Sequence, residues 1–125
     1  MKILVTGGAG FIGSAVCRLF VSELDATVIN VDKLSYAANL TSLASIEGDR
    51  NYFFCRADIC DRIAVSKILQ EFDPDAVLHL AAESHVDRSI DGPSEFIRTN
   101  IEGTYVLLES ALAHWRRLPA QRAAR

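Results

Sequence analysis

Gly7, Gly10 and Gly13 recur at every third position between an apolar run, Ile3-Leu4-Val5, and a stretch with helical periodicity. The run suits a buried parallel strand. Phe11, Ile12, Ala15, Val16, Leu19 and Phe20 then predict one broad apolar face on a helix over about residues 11–23. Strand, glycine turn and helix in that order let a backbone approach a pyrophosphate closely. The helix start adds free N–H groups and a partial positive charge. The same pattern also serves as a bare strand-to-helix turn, so the rest of the chain has to decide.

The rest repeats the alternation. A strand is expected at about residues 2–6. Ala26 to Val31 predicts a second strand, rich in β-branched residues and closed by Asp32. Tyr36, Leu40, Leu43 and Ile46 predict a short helix over 36–47, and Gly48 to Asn51 a turn. Tyr52 to Cys55 predicts strand three. Asp61 is an N-cap candidate for a helix over about 62–72, with Val65, Ile68, Leu69 and Phe72 facing inward and Asp73-Pro74-Asp75 stopping it. Ala76 to Ala82 predicts strand four, buried on both faces. After a turn at Asp91-Gly92-Pro93, Ile97, Ile101, Tyr105, Leu108, Leu112 and Trp115 predict a last helix to about residue 116. Repeated βα units imply an α/β fold with a parallel sheet and right-handed crossovers. The expectation is the first half of a doubly wound, Rossmann-type sheet in strand order 3-2-1-4, ending before strand five. Residues 1–117 read as a partial dinucleotide-binding domain, and 118–125 as a disordered Arg/Ala-rich tail.

In such sheets ligands bind beyond the carboxyl ends of the strands. Asp32 stands there after strand two, where an acid can bond the ribose hydroxyls of an adenosine and repel a 2′-phosphate. That favours NAD over NADP, although Lys33 beside it blurs the signal; a plain strand-end turn is the alternative. Asp58-Ile59 after strand three can face an adenine edge, or Asp58 can be a turn residue. After strand four, small Ala81 and Ala82 let a cofactor pass, and Ser84, His85, Asp87 and Arg88 face a substrate side. Asp87 and Arg88 can equally pair with each other, and His85 can be structural; His79 and His114 read as structural.

Composition bounds the remaining classes. The 125 residues suit one modest domain, half of them hydrophobic. A net charge of −3 gives no footprint for nucleic acid, and no apolar run is long enough for a membrane span. Cys17, Cys55 and Cys60 lack metal-ligand spacing and read as reduced thiols of a cytoplasmic protein.

Thr6 to Ser14, Asp32 to Tyr36, Ala57 to Asp61 and above all Leu80 to Ile90 resemble the dTDP-glucose 4,6-dehydratases of the extended short-chain dehydrogenase/reductase superfamily. The first motif is shared across the superfamily; the Ala-Ala-Glu-Ser-His-Val-Asp-Arg-Ser-Ile stretch is much more specific. The resemblance runs from residue 1 to about 115. It implies NAD as cofactor, held through Gly7, Gly10, Phe11, Ile12 and Gly13 at the pyrophosphate and through Asp32, Lys33, Leu34 and Ser35 around the ribose. It further implies Asp58 and Ile59 at the adenine, and Leu80, Ala81, Ala82, Glu83, Ser84 and Thr99 along the cofactor. Ser84 would also reach a dTDP-sugar substrate, and a homodimer would form through the helix around 95–116. Ser35 stands where the family usually has Thr, and Ala38 where a Gly is common.

Similar enzymes oxidise the sugar at C4, eliminate water across C5 and C6, and return the hydride to C6. They use a Thr-Asp-Glu segment and a Tyr-x-x-x-Lys helix for this. Neither is present in these residues: Tyr36, Tyr52 and Tyr105 are followed four positions on by Leu40, Arg56 and Glu109. No catalytic residue is therefore assigned, and the chain is expected to be the cofactor-binding part of a dehydratase, a fragment or truncated product inactive by itself. A free-standing nucleotide-binding module and a non-functional remnant are the alternative readings.

Overall fold

Ile3, Leu4 and Val5 form the middle of a parallel sheet because their unbroken apolar run is covered on both faces. The computed structural model describes residues 1–36 and 38–123. Strand β1 (Lys2–Thr6) lies between β2 (Thr27–Asp32) and β4 (Ala76–His79), with β3 (Tyr52–Arg56) outside β2. The order β3-β2-β1-β4 is the one expected, and every pairing is parallel. Helices α1 (Phe11–Ser22), α2 (Arg62–Phe72), α3 (Val86–Asp91), α4 (Pro93–Ile97), α5 (Thr104–Trp115) and α6 (Ala120–Ala123) complete the chain. No helix of the described residues is long and apolar enough to cross a membrane.

The alternation of the strands builds two cores. Ile3, Val5 and Val28 point to Cys17 and Val21 of α1 and to Leu43 and Ile46. Leu4, Ile29 and Val31 point the other way, to Val65, Ile68 and Leu69 of α2 and Leu107 of α5. Helix α2 begins and ends as expected: the Asp61 side chain accepts from the Ala64 amide, and Asp73 closes it in the left-handed conformation.

The face of α1 differs from the expected one. Phe11 is 94% exposed and Ile12 and Leu19 are exposed too, while Gly13, Ser14, Cys17 and Val21 are buried. The rotation is set at Gly13, where a Cβ would stand 2.1 Å from the Gly7 carbonyl oxygen. Gly13, Cys17 and Val21 then follow one another inward at intervals of one turn. Burial pushes the Cys17 thiol up to about 12.

The last helix departs in the same way. Residues 93–103 are not one α-helical run: α4 passes into a π-helical segment, Arg98–Gly103, before α5 begins. Ile97, Ile101, Tyr105, Leu108, Leu112 and Trp115 lie outside, and Thr99, Gly103, Val106, Leu107 and Ser110 inside. Gly103 packs on Ile59, where a Cβ would come within 2.7 Å of the isoleucine side chain. The close packing of these small residues turns the apolar stripe outward.

Three further expectations are corrected. The helix over 36–47 is a 3-10 turn, Leu40–Leu43, because Asn39 is extended and its side chain captures the Thr41 amide. Strand four stops at His79 and is half-buried, being at the sheet edge. The segment 118–123 is not structureless: Arg122 pairs with Asp73 and Asp75, and the Trp115 indole donates to the Ala123 carbonyl at 3.0 Å, so Ala120–Ala123 closes a helical turn. Such long-range partners leave no local period to read. Residues 124–125 of the expected tail lie outside the described residues.

Gly13→Ala is expected to destabilise the fold by about 3 kcal/mol, since the clash is with backbone. Gly48→Ala, at φ +82° with open space around it, is expected to lose about 1 kcal/mol. Urea unfolding of the two variants checks the difference.

Candidate functional site

A groove crosses the carboxyl ends of all four strands. Its wall runs from the Gly7 turn past Asp32, Lys33 and Ser35 to Asp58 and Ile59, then to Leu80 through Glu83 and Thr99. Its cavity volume is about 80 Å³, and it opens to solvent. Most of the sequence-predicted residues therefore converge. Leu34, Phe11, Ile12, Gly13 and Ser84 stand beside the lining rather than in it. Val31, Ala38 and Ala57 line the groove as well; nothing in their residue type had marked them out.

The floor is made by close backbone approach. Gly7 has φ +71°, and a Cβ there would be 2.6 Å from the Ala81 nitrogen. At the groove's end α1 starts with Gly10 as N-cap, with no side-chain cap and no acid in its first turn. Its first amides and the helix dipole are left to an incoming anion.

Asp32 is bound into this loop. Its Oδ2 accepts from the Ala9 amide at 3.0 Å and its Oδ1 from the Leu34 amide at 2.8 Å. A carboxylate has about four acceptor sites, so these two bonds orient it and leave acceptors over. Leu34 adopts φ 60° beside it. Asp58 takes the turn role that its position also allowed, accepting from the Cys60 amide at 2.9 Å and lying 3.5 Å from Arg98. Partial burial pushes its carboxyl up, but the Cys60 hydrogen bonds, Lys33 and Arg98 outweigh this and hold it below the usual range.

Asn100 sets the segment after β4. Its side chain accepts from the Glu83 amide and donates to the Glu83 carbonyl, both at 2.9 Å. The π-helical segment that carries Asn100 also buries Thr99 against the groove. Helical periodicity gives no sign of this. His85 meets the Tyr36 ring edge-on at 5.1 Å, and Arg88 stacks over the other aspect of that ring at 3.4 Å instead of pairing with Asp87.

His79 and His114 have structural partners, as expected. His114 bonds Asp73 at 3.0 Å. The Thr6 hydroxyl accepts from the Leu80 and Ala81 amides at 3.1 and 3.2 Å, so its proton goes to His79 Nδ1 at 2.7 Å. The neutral ring then carries its hydrogen on Nε2 and donates to the Thr104 hydroxyl at 2.9 Å. The relay ties the groove floor to α5.

Burial holds the His79 imidazole below its ordinary value of 6.5. The unfolded chain takes up the proton first as pH falls. This contribution to stability is present above about pH 6.5 and is lost as pH drops through the folded value. The melting temperature is expected to decline from pH 7 to pH 5, and to decline less in His79→Gln, which keeps the other histidines. Equal slopes for the two proteins would count against the relay.

A family model for GDP-mannose 4,6 dehydratase matches residues 4–123. The probable dTDP-glucose 4,6-dehydratase of Sinorhizobium fredii is 59% identical over 124 residues, covering 99% of this chain and 35% of that protein. The dTDP-glucose 4,6-dehydratase of Shigella flexneri is 63% identical over 115 residues, 92% of this chain and 32% of that one. Among solved structures, the dTDP-glucose 4,6-dehydratase of Streptomyces venezuelae with NAD and TYD bound superposes with a TM-score of 0.86 at 43% identity, over 91% of this chain and 36% of that chain. The UDP-glucose 4-epimerase of Thermotoga maritima with UDP-glucose gives 0.81 at 39% identity, over 91% and 35%. The chain spans about a third of the length of the relatives it matches.

Proposed function

Since this chain belongs to the GDP-mannose 4,6 dehydratase family, we propose that it forms the NAD-binding portion of a dTDP-glucose 4,6-dehydratase. The observation that carries the reading is the groove itself. The ends of four strands bring a side-chain-free turn, an uncapped helix start and an oriented carboxylate to one place. Those are the groups a dinucleotide needs at its pyrophosphate and its adenosine ribose.

In this reading the Phe11 and Ile12 amides would take the pyrophosphate, with Gly7, Gly10 and Gly13 keeping side chains out of its path. Asp32 would accept from the ribose hydroxyls, with Lys33, Leu34 and Ser35 around it. Asp58 and Ile59 would meet the adenine. Leu80, Ala81, Ala82, Glu83, Ser84 and Thr99 would flank the rest of the cofactor, and Ser84 would reach the dTDP-sugar. The bound cofactor supplies hydride acceptance and return. The chain's own residues bind and orient it and exclude water. A general base is not among them, because no tyrosine here has a lysine four residues on. A reducing cytoplasm would keep the three free thiols of Cys17, Cys55 and Cys60 as they are.

Calorimetric titration of the chain is expected to give NAD binding, and Asp32→Ala to weaken it about tenfold or more through loss of a charge-assisted bond. An unbound NAD in the wild type would sink the reading. The same preparation is expected to form no 4-keto-6-deoxy sugar from dTDP-glucose, and product formation would refute that part.

A homodimer through the helix around 95–116 is part of the proposal. Ile97, Ile101, Tyr105 and Leu108, spread over α4, the π-helical segment and α5, are each more than half exposed. Sedimentation is expected to show a dimer, and Tyr105→Glu a monomer; a monomeric wild type would remove this element alone.

A further inference from the structure

Lys33 follows Asp32 directly. At the end of strand two of a dinucleotide groove the acid selects a 2′-hydroxyl and a cation accommodates a 2′-phosphate. The chain carries both side by side, so residue type alone leaves the selectivity contradictory. The structure separates them. Lys33 Nζ is 3.6 Å from Glu83 Oε1 and donates to Thr99 Oγ1 at 3.3 Å. It thus reaches from the β2 end to the segment after β4 and to the π-helical segment.

The partners of the ammonium are themselves held. The Glu83 side chain is only 10% exposed, and both its backbone groups are bonded to Asn100. Thr99 is 4% exposed. The Lys33 side chain is 29% exposed, so the pair is partly shielded and is screened less by solvent and salt than a fully exposed pair. The neighbouring cations have other partners: Arg98 pairs with Asp58, and Arg88 lies on Tyr36.

We infer that Glu83, with Thr99, is a positioning residue for cofactor selectivity. It keeps the Lys33 ammonium away from the adenosine 2′ position, so that Asp32 alone meets that position and NAD is taken over NADP. The inference rests on the reading of the groove as a dinucleotide site. A merely structural Glu83 would weaken both dinucleotides together. A positioning Glu83 changes their ratio.

The test is calorimetric titration of the full chain with NAD and with NADP at low salt. Wild type, Glu83→Gln, Lys33→Gln and the double variant are compared. Glu83→Gln is expected to shift the affinity ratio toward NADP by about tenfold, the released lysine now being free for the phosphate. Adding Lys33→Gln is expected to cancel that shift. A ratio unchanged in Glu83→Gln overturns the inference. So does a gain that survives loss of the lysine, which would point to Arg56, the register partner of Asp32. Should Glu83→Gln bind neither dinucleotide, Thr99→Val is expected to move the ratio in the same direction by about threefold, and an unmoved ratio there is equally decisive. A wild type that binds neither dinucleotide removes the groove reading and the inference together. Wild-type binding with unmoved ratios removes the inference alone.

Discussion

Backbone meets backbone at the end of β1, and the rest of the structure depends on that approach. Gly7 turns at φ +71° against the Ala81 backbone, and Gly13 rests against the Gly7 carbonyl. No side chain can be placed between these segments. The approach closes the floor of the groove, fixes the rotation of α1 and brings the segment after β4 beside the turn after β1. The Thr6 hydroxyl reinforces it by accepting from both the Leu80 and Ala81 amides while donating to His79 Nδ1. A dinucleotide fold needs such a floor because the phosphates must come within hydrogen-bond reach of amides.

Each charge around that floor is held by fixed partners. Asp32 is bonded to two amides, Lys33 to Glu83 and Thr99, and Asp58 to the Cys60 amide with Arg98 near. The more exposed of these pairs add little stability, of the order of 0–1 kcal/mol each. Their effect is orientation: each fixes where a charge points before any ligand arrives. The start of α1 has no side-chain cap and no acid in its first turn, so its positive end is open to the groove.

The sheet and the groove at the carboxyl ends of its strands were legible in the amino acids. Apolar runs of strand length, separated by turn residues and helical stretches, admit few parallel arrangements, and order 3-2-1-4 is the one found. Asp61 announced α2 because capping is a local event. Asp32, Asp58 and the 80–84 segment could be placed because ligands collect at strand ends. The face of α2 was legible, with Val65, Ile68, Leu69 and Phe72 turned inward as their spacing predicts; those of α1 and of the last helix were not. Phe11, Ile12 and Leu19 of α1 and the apolar period of the 97–115 stretch point outward, while Val16 and Phe20 still pack on the core, because Gly13 and Gly103 permit closer packing than any large residue and so decide which side goes in. The π-helical segment was equally hidden, since one extra residue in a turn leaves the composition unchanged.

Taken alone, the sequence determined the class of fold, the strand order and the loops that gather at the carboxyl ends of the strands. These follow from period, turn chemistry and chirality, which act over a few residues. Tertiary structure decided the partners. Arg122 finds Asp73, Asn100 finds Glu83 and Lys33 finds Thr99 across 17 to 66 residues. The reason is physical: a hydrogen bond or ion pair depends on distance and direction in space. Only the closed sheet, with its glycines in contact, brings those groups within reach of one another.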